Sequence, residues 1–389
     1  MSNQGETTAP QVVRGLEGVV AAATQIAEVN GKEGKLTLRG YDIRELAGRV
    51  TFEEVAYLLW HGDLPNRSEY SALQRELVSF RELQAPTLEV LKVVSPQATG
   101  MHALRMGAAT LSIGYPDADS LDASLLHRRA ARLQAQMPAL VAHSWRLRQG
   151  LEPIEPLPQH GYAEGFLYML EGKEPSRSRV DALNSYLVAI CEHGLNASTF
   201  TARQVISTDS DMISALTAAV GSLKGPKHGG VPGPVLNMLN DIGSPHHAEE
   251  YIRKEQAAGR RIMGFGHRIY KTRDPRAAIL EDAAEKLAKE TGDRSLLELC
   301  RAVEKTTVKV LNELHPDRAL YANVELYAAL VLHGVGIPPE IFTPMFAIGR
   351  TAGWTAHMIE QLDDNRLIRP DSIYVGPHDL RWRLMDERS

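Results

Sequence analysis

Apolar residues recur every three or four positions over most of this chain, the spacing that lines one side of an α-helix. Thr51-Phe52-Glu53-Glu54 forms a capping-box pattern ahead of Val55, Leu58 and Leu59, and Gly62 followed by Pro65 marks where that helix ends. Ser295-Leu296-Leu297-Glu298 repeats the start signal, after which Leu299, Cys300, Val303, Val310, Leu311 and Leu314 keep helical spacing for about five turns. Thr343-Pro344 supplies a cap and a first-turn proline for a further helix, with Met345, Ile348, Ala352 and Ile359 turned inward. Two-residue alternation is rare. Its best instance is TQIAEVNGKEGKLTLRG, where Asn30-Gly31 and Gly34 turn a small hairpin. Arg146 to Gly165 carries proline and glycine too densely for a helix, and helical patterning resumes on both sides, so it reads as a surface connection rather than a domain linker. The predicted class is mainly α.

Composition narrows the setting. A chain of 389 residues with 43% hydrophobic and 6% aromatic content buries a large core, and it has no apolar run long enough to span a membrane. The opening MSNQGETTAPQ lacks the basic start and apolar run of a secretory signal, and the two cysteines, Cys191 and Cys300, lie far apart without CxxC spacing. A reducing cytoplasm is the expected compartment. A formal net charge of −5 argues against general affinity for nucleic acid. The local run of Arg268, Lys271, Arg273 and Arg276 is therefore aimed at a small anion, unless it is a solvated face.

Four patches could carry chemistry. His228 lies in the glycine- and proline-rich GPKHGGVPGPV, just before a helical run whose positive end would hold the imidazole neutral; on this patch alone a structural turn histidine is the favoured reading. In IMGFGHRIYKTRDPRA, a dinucleotide loop fails because Ile269 stands where G-x-G-x-x-G needs glycine. What remains is a main chain bared by Gly264 and Gly266, followed by His267 and its cations. Glu325, in LYANVELYAALVLHGVG, shares a helical face with Ala328, Ala329 and Leu332, so its pKa should rise; a frayed helix start reaching water is the other reading. Arg350 interrupts an apolar helix and Arg369 lies in NRLIRPDS, where Arg350 needs a partner and Arg369 fits a surface position. His193 precedes small polar residues that could line a pocket, whereas His246-His247 has no H-E-x-x-H spacing, and no metal is expected. Two histidines, a carboxylate and several arginines suit carbon–carbon bond formation, in which a base deprotonates a carbon beside a carbonyl and the imidazoles hold oxygen charge. That chemistry needs no cofactor.

From GLEGVVAA through EHGLNASTFTAR, GPKHGG and MGFGHRIYKTRDPRA to RLIRPDSIYVGP, the chain resembles the citrate synthases of the shorter bacterial and archaeal type over nearly its whole length. The resemblance implies a transferase that condenses acetyl-CoA with oxaloacetate in the tricarboxylic acid cycle. By it, Glu325 matches the base, His228 the histidine that stabilises the enol, and His267 the one that polarises the keto group. His193, Arg276, Arg350 and Arg369 match the dicarboxylate-holding groups, with Arg369 reaching across a homodimer. Ile262, Met263, Gly264, Phe265 and Gly266 match the loop that receives the CoA adenine, and Lys271 is a phosphate contact. The resemblance also implies a large helical domain, roughly 1–229 plus 337–389, and a smaller mobile one, roughly 230–336, that closes over the substrates. Two departures stand out. Ala322-Asn323-Val324-Glu325 replaces the usual P-N-V-D, and Val231-Pro232-Gly233 replaces Ala-Asn-Glu. A 2-methylcitrate synthase using propionyl-CoA, or a CoA- or dicarboxylate-binding paralogue of low activity, are the alternatives.

Overall fold

The computed structural model describes residues 12–115, 117–229, 232–318 and 320–388. Among them the chain is nearly all helix, with one small antiparallel sheet near the N-terminus. Thr51 and Glu54 form the expected capping box on the Phe52–His61 helix, and Gly62 closes it in a left-handed conformation. The hairpin also forms as expected: Ala27–Asn30 pairs with Lys35–Leu38, Ala27 opposite Leu38 and Asn30 opposite Lys35, and Tyr41–Asp42 adds a third, short strand. Leu36 and Leu38 point into the core from alternate positions of the middle strand.

Two predicted helix starts are built differently. Ser295 is the first residue of the Ser295–Leu314 helix and does not cap it, because its hydroxyl donates to Asp293, which also accepts from the Ser295 N–H. Thr343 lies inside the Phe342–Asp363 helix, and its hydroxyl reaches the Gly229 carbonyl at 2.9 Å. A short 3-10 turn at Pro339–Ile341 leads into that helix in place of a threonine cap.

Phe342–Asp363 is the spine of one helical group, packed by Ala123–Arg148, Ala197–Ile206, Met212–Leu223 and Phe52–His61. Trp354 and Arg350 are among the largest fully buried side chains of the protein, and Trp60 donates to Thr355 across 2.9 Å. Burying an aromatic of this size contributes about 2–3 kcal/mol. A second group comprises Pro232–Ile242, Ala248–Ala257, Pro275–Thr291, Ser295–Leu314 and Val324–Gly334. There Arg273 is forked between Glu281 and Glu304, Arg301 bridges Glu281 to Glu285, and Tyr327 donates to Glu304 at 2.6 Å. The helix Arg177–Ile190 joins the groups by packing on Pro275–Thr291, Val324–Gly334 and Phe342–Asp363 alike. From residue 149 to 161 the chain is irregular, as its prolines predict, and past Asp363 it runs almost wholly without helix or strand. No described helix is long and apolar enough to cross a membrane.

Candidate active site

Two extended segments meet where the groups adjoin. Phe265 bridges Ala322 in antiparallel fashion, Gly266 donates to the Tyr321 carbonyl at 2.9 Å, and Asn323 donates its N–H to Gly264 at 2.9 Å. The Asn323 side chain adds a bond to the Gly266 carbonyl at 3.1 Å while its Oδ1 caps the Val324–Gly334 helix at Glu325 N–H. Gly264 and Gly266 both need positive φ, near 80°, and a Cβ on Gly264 would stand 3.1 Å from Leu326. The glycine-bared backbone therefore serves first to let this crossing close. It places His267 just after one bonded segment and Glu325 just after the other.

The ring of His267 is anchored by Nδ1, which accepts the main-chain N–H groups of Ile269 at 3.0 Å and Tyr270 at 3.1 Å. Its proton in the neutral form is consequently on Nε2, which has no acceptor among the described residues. Burial drives its pKa down to about 4, helped by Arg276 and resisted by Asp274. His193 lies edge-on to it, ring centroids 5.2 Å apart, with Nε2 at 3.2 Å from the Tyr270 hydroxyl. Burial, then Arg276, holds His193 well below the usual imidazole range.

Glu325 is half-buried in the first turn of its helix. Burial lifts its pKa to about 7, against the opposing pull of Arg276 and Asn323. The reading of Glu325 as a desolvated carboxyl fits this position better than a frayed end in water.

His228 occupies a turn of Gly225–Gly229 closed by its own N–H on Gly225 at 2.9 Å. Its Nε2 lies 2.7 Å from the Ser198 hydroxyl and accepts the Ser198 N–H at 3.3 Å, so the neutral ring carries its proton on Nδ1. Trp354 donates to the same hydroxyl at 3.0 Å. The pKa falls to about 4, but burial is the main cause and Arg350 the second. The helix end that reaches this ring is the start of Ala197–Ile206, not of the helix that follows His228. Of the Val231-Pro232-Gly233 departure, Val231 lies outside the described residues.

The three arginines differ. Arg276 is buried and clamped onto Asp274, Nε at 2.9 Å and Nη2 at 2.7 Å, and Asp274 also accepts the Val324 N–H at 3.2 Å. Arg350 is buried with its Nε on the Ile190 carbonyl at 2.7 Å and its guanidinium 4.7 Å from the Phe346 ring centroid. Its terminal nitrogens make no hydrogen bond among the described residues. Arg369 is exposed in the C-terminal stretch and is not drawn into this cluster. Ile262 is buried, Met263, Phe265 and Gly266 are half-buried, and Lys271 extends its side chain into solvent while its N–H holds Gly31 at 2.9 Å. A Cβ on Gly31 would stand 2.2 Å from the Ile269 carbonyl, so the hairpin tip seats the loop that follows His267.

Ser198, Tyr270, Asp274 and Asn323 hold the site and are not singled out by the sequence. Asp274 could have been noticed as a carboxylate two residues from Arg276 at a helix N-cap, and Ser198 as one of the small polar residues after His193. No group of His, Cys, Asp and Glu able to hold a metal occurs among the described residues.

Two neutral rings with an open donor each, a raised carboxyl and an open guanidinium make a candidate acid–base site on a mainly helical frame. A model of the citrate synthase C-terminal domain matches residues 15–371. Citrate synthase 2 of Bacillus subtilis is 42% identical over 377 residues, 97% of this chain and 99% of that protein. The citrate/2-methylcitrate synthase of the same organism is 39% identical over 93% of this chain and 96% of its own length. Among solved structures, the ternary complex of Thermoplasma acidophilum citrate synthase with carboxymethyl coenzyme A and oxaloacetate is 28% identical, with a TM-score of 0.89 over 98% of this chain and 100% of that one. The chain belongs to the citrate synthase family.

Proposed function

We propose that this protein condenses acetyl-CoA with oxaloacetate, forming citrate and free CoA. Glu325 removes a proton from the acetyl methyl, and the Nδ1–H of His228 hydrogen-bonds the enolate oxygen as charge collects there. The Nε2–H of His267 polarises the keto carbonyl, the enolate carbon attacks it, and water then hydrolyses the citryl thioester. A carboxyl with a pKa near 7 is a stronger base than an ordinary glutamate and is still about half ionised in neutral solution. His193, Arg276 and Arg350 hold the carboxylates, and Ile262, Met263, Gly264, Phe265, Gly266 and Lys271 receive the coenzyme. No cofactor is required, and the cytoplasm is the proposed compartment.

The working unit we infer is a homodimer in which Arg369 of one protomer completes the site of its partner. What supports this is the C-terminal stretch: Val375, Leu380, Trp382 and Met385 expose 92, 79, 76 and 76% of their surface, more than a lone chain gains by leaving in water. Within each protomer, 230–336 is proposed as a small domain that closes on the large one, 1–229 plus 337–389, and excludes water.

The observation that carries the reading is the pair of neutral rings, each with its donor nitrogen open, together with a raised carboxyl on the helix that follows the Phe265–Ala322 crossing. Thiol trapping of CoA released from acetyl-CoA plus oxaloacetate tests it. Release dependent on both substrates is expected; none from folded protein, with any short acyl-CoA, would end it. Faster release from propionyl-CoA would reassign the enzyme to 2-methylcitrate formation, because one methylene is worth only about 1–3 kcal/mol of discrimination.

A further inference from the structure

Burying an arginine is costly unless an opposite charge accompanies it. In the interior beside the site, Arg276 has Asp274, and Arg203 has Glu360 at 2.6 Å. Arg350 has no such direct partner, although it is as deeply buried as either. One carboxylate nearby is equally unmatched. Glu192 is fully buried, and neither of its oxygens makes a hydrogen bond among the described residues. It follows by two residues the carbonyl that takes the Arg350 Nε–H, and it immediately precedes His193.

The surroundings of Glu192 are shaped to admit it. Gly353, one turn beyond Arg350 on the same helix, has no side chain, and a Cβ there would stand 2.2 Å from Oε2. His357, a further turn on, accepts Arg203 on Nδ1 at 2.8 Å and so turns its Nε2–H toward Glu192 Oε1, 3.4 Å away. With Arg203 committed to Glu360, the cation left for Glu192 is Arg350, whose pKa burial lowers to about 10 while the Glu192 carboxylate opposes that fall.

We propose that Glu192 is a positioning residue: its carboxylate compensates Arg350 from behind, so that both ends of the guanidinium stay open for a carboxylate of the keto-dicarboxylate substrate. A direct salt bridge would have neutralised the charge and occupied the fork as well; the offset placement does only the first. Glu192 touches no substrate and acts through Arg350. The inference rests on the proposed condensation, because that reading makes Arg350 a substrate contact.

The test is Glu192→Gln, which keeps shape and removes charge, compared with Glu192→Asp. In thermally stable Glu192→Gln protein, the KM for oxaloacetate should rise about tenfold or more, while the KM for acetyl-CoA stays within about twofold. Glu192→Asp should fall between the variant and the native chain. An unchanged oxaloacetate KM, or equal rises for both substrates, would overturn the proposal. If Glu192→Gln does not fold, Glu192→Asp decides alone: a selective rise in oxaloacetate KM supports it, and an unselective or absent one refutes it. Should the native chain release no CoA, the condensation reading fails by itself. Calorimetric binding of oxaloacetate then reads the positioning role directly: affinity weakened about tenfold by Glu192→Gln supports it, and equal affinity, or no binding to the native chain, refutes it.

Discussion

His267 and Glu325 follow two extended segments stitched together by main-chain bonds of Gly266, Asn323 and Asp274, whereas His228 stands on a glycine turn whose ring is steadied by the first turn of another helix. The first arrangement depends little on which side chains are present, apart from Asn323 and the glycines. The second hangs on Ser198, whose hydroxyl and N–H both meet the His228 ring, and on Trp354, which holds that hydroxyl. His267 and Glu325 are thus carried by one bonded pair of segments, and the His228 ring is set separately, from the Ala197–Ile206 helix. Such a division would suit the domain closure proposed above.

The sharpest way to break this comparison is Glu325→Gln. It keeps the crossing intact and removes the base, so kcat should fall by about 10³-fold; a rate within tenfold of native would show that the crossing does not present the base. The native enzyme should also lose kcat/KM about tenfold per pH unit below pH 7, with a single step, since His228 and His267 stay neutral down to about 4. A second protonation between pH 5 and 7 would assign the limb elsewhere. The same carboxyl has a stability signature. Its folded pKa, about 7, lies above the ordinary 4.5, so the folded chain binds more protons in that window. Its contribution therefore weakens the fold as pH rises from 4.5 to 7, and a native-minus-Glu325→Gln difference in Tm should follow that slope.

Asn323→Ala attacks the crossing itself, removing a tie to Gly266 and the cap on the base-bearing helix. Displacement of the base by about 1 Å lowers kcat about a hundredfold, and the lost cap lowers stability by about 1 kcal/mol. Chemical denaturation beside steady-state kinetics reads both, and an unaltered kcat would mean that the main-chain bonds suffice. Ser198→Ala should be the mildest, lowering kcat about tenfold with oxaloacetate affinity unchanged, because the Ser198 N–H still meets the ring. Equal loss in oxaloacetate binding would merge the two halves of the site.

Much of this was legible beforehand. The capping box at Thr51, the hairpin at Asn30-Gly31 and the candidates His228, His267 and Glu325 follow from local patterns. Ser295 and Thr343 were misjudged as caps for a local reason, since their hydroxyls found Asp293 and the Gly229 carbonyl instead. The neutral state of His228 was anticipated from the dipole of the following helix, whereas the causes found in the structure are burial and Arg350. Asp274 was passed over, although it is the clamp on Arg276 and a tether for Val324.

By itself the sequence determined that the chain is mainly helical, the capping box at Thr51, where the hairpin turns and which side chains have chemistry to offer, because those outcomes depend on bonds and contacts between residues a few positions apart. Tertiary structure alone decided which nitrogen of His228 carries the proton, how far the Glu325 carboxyl is lifted and which arginine keeps an open fork. Those properties arise from partners 30 residues away for His228, 57 for Asn323 and 160 for Arg350, and from a burial that exists only once the helices have packed.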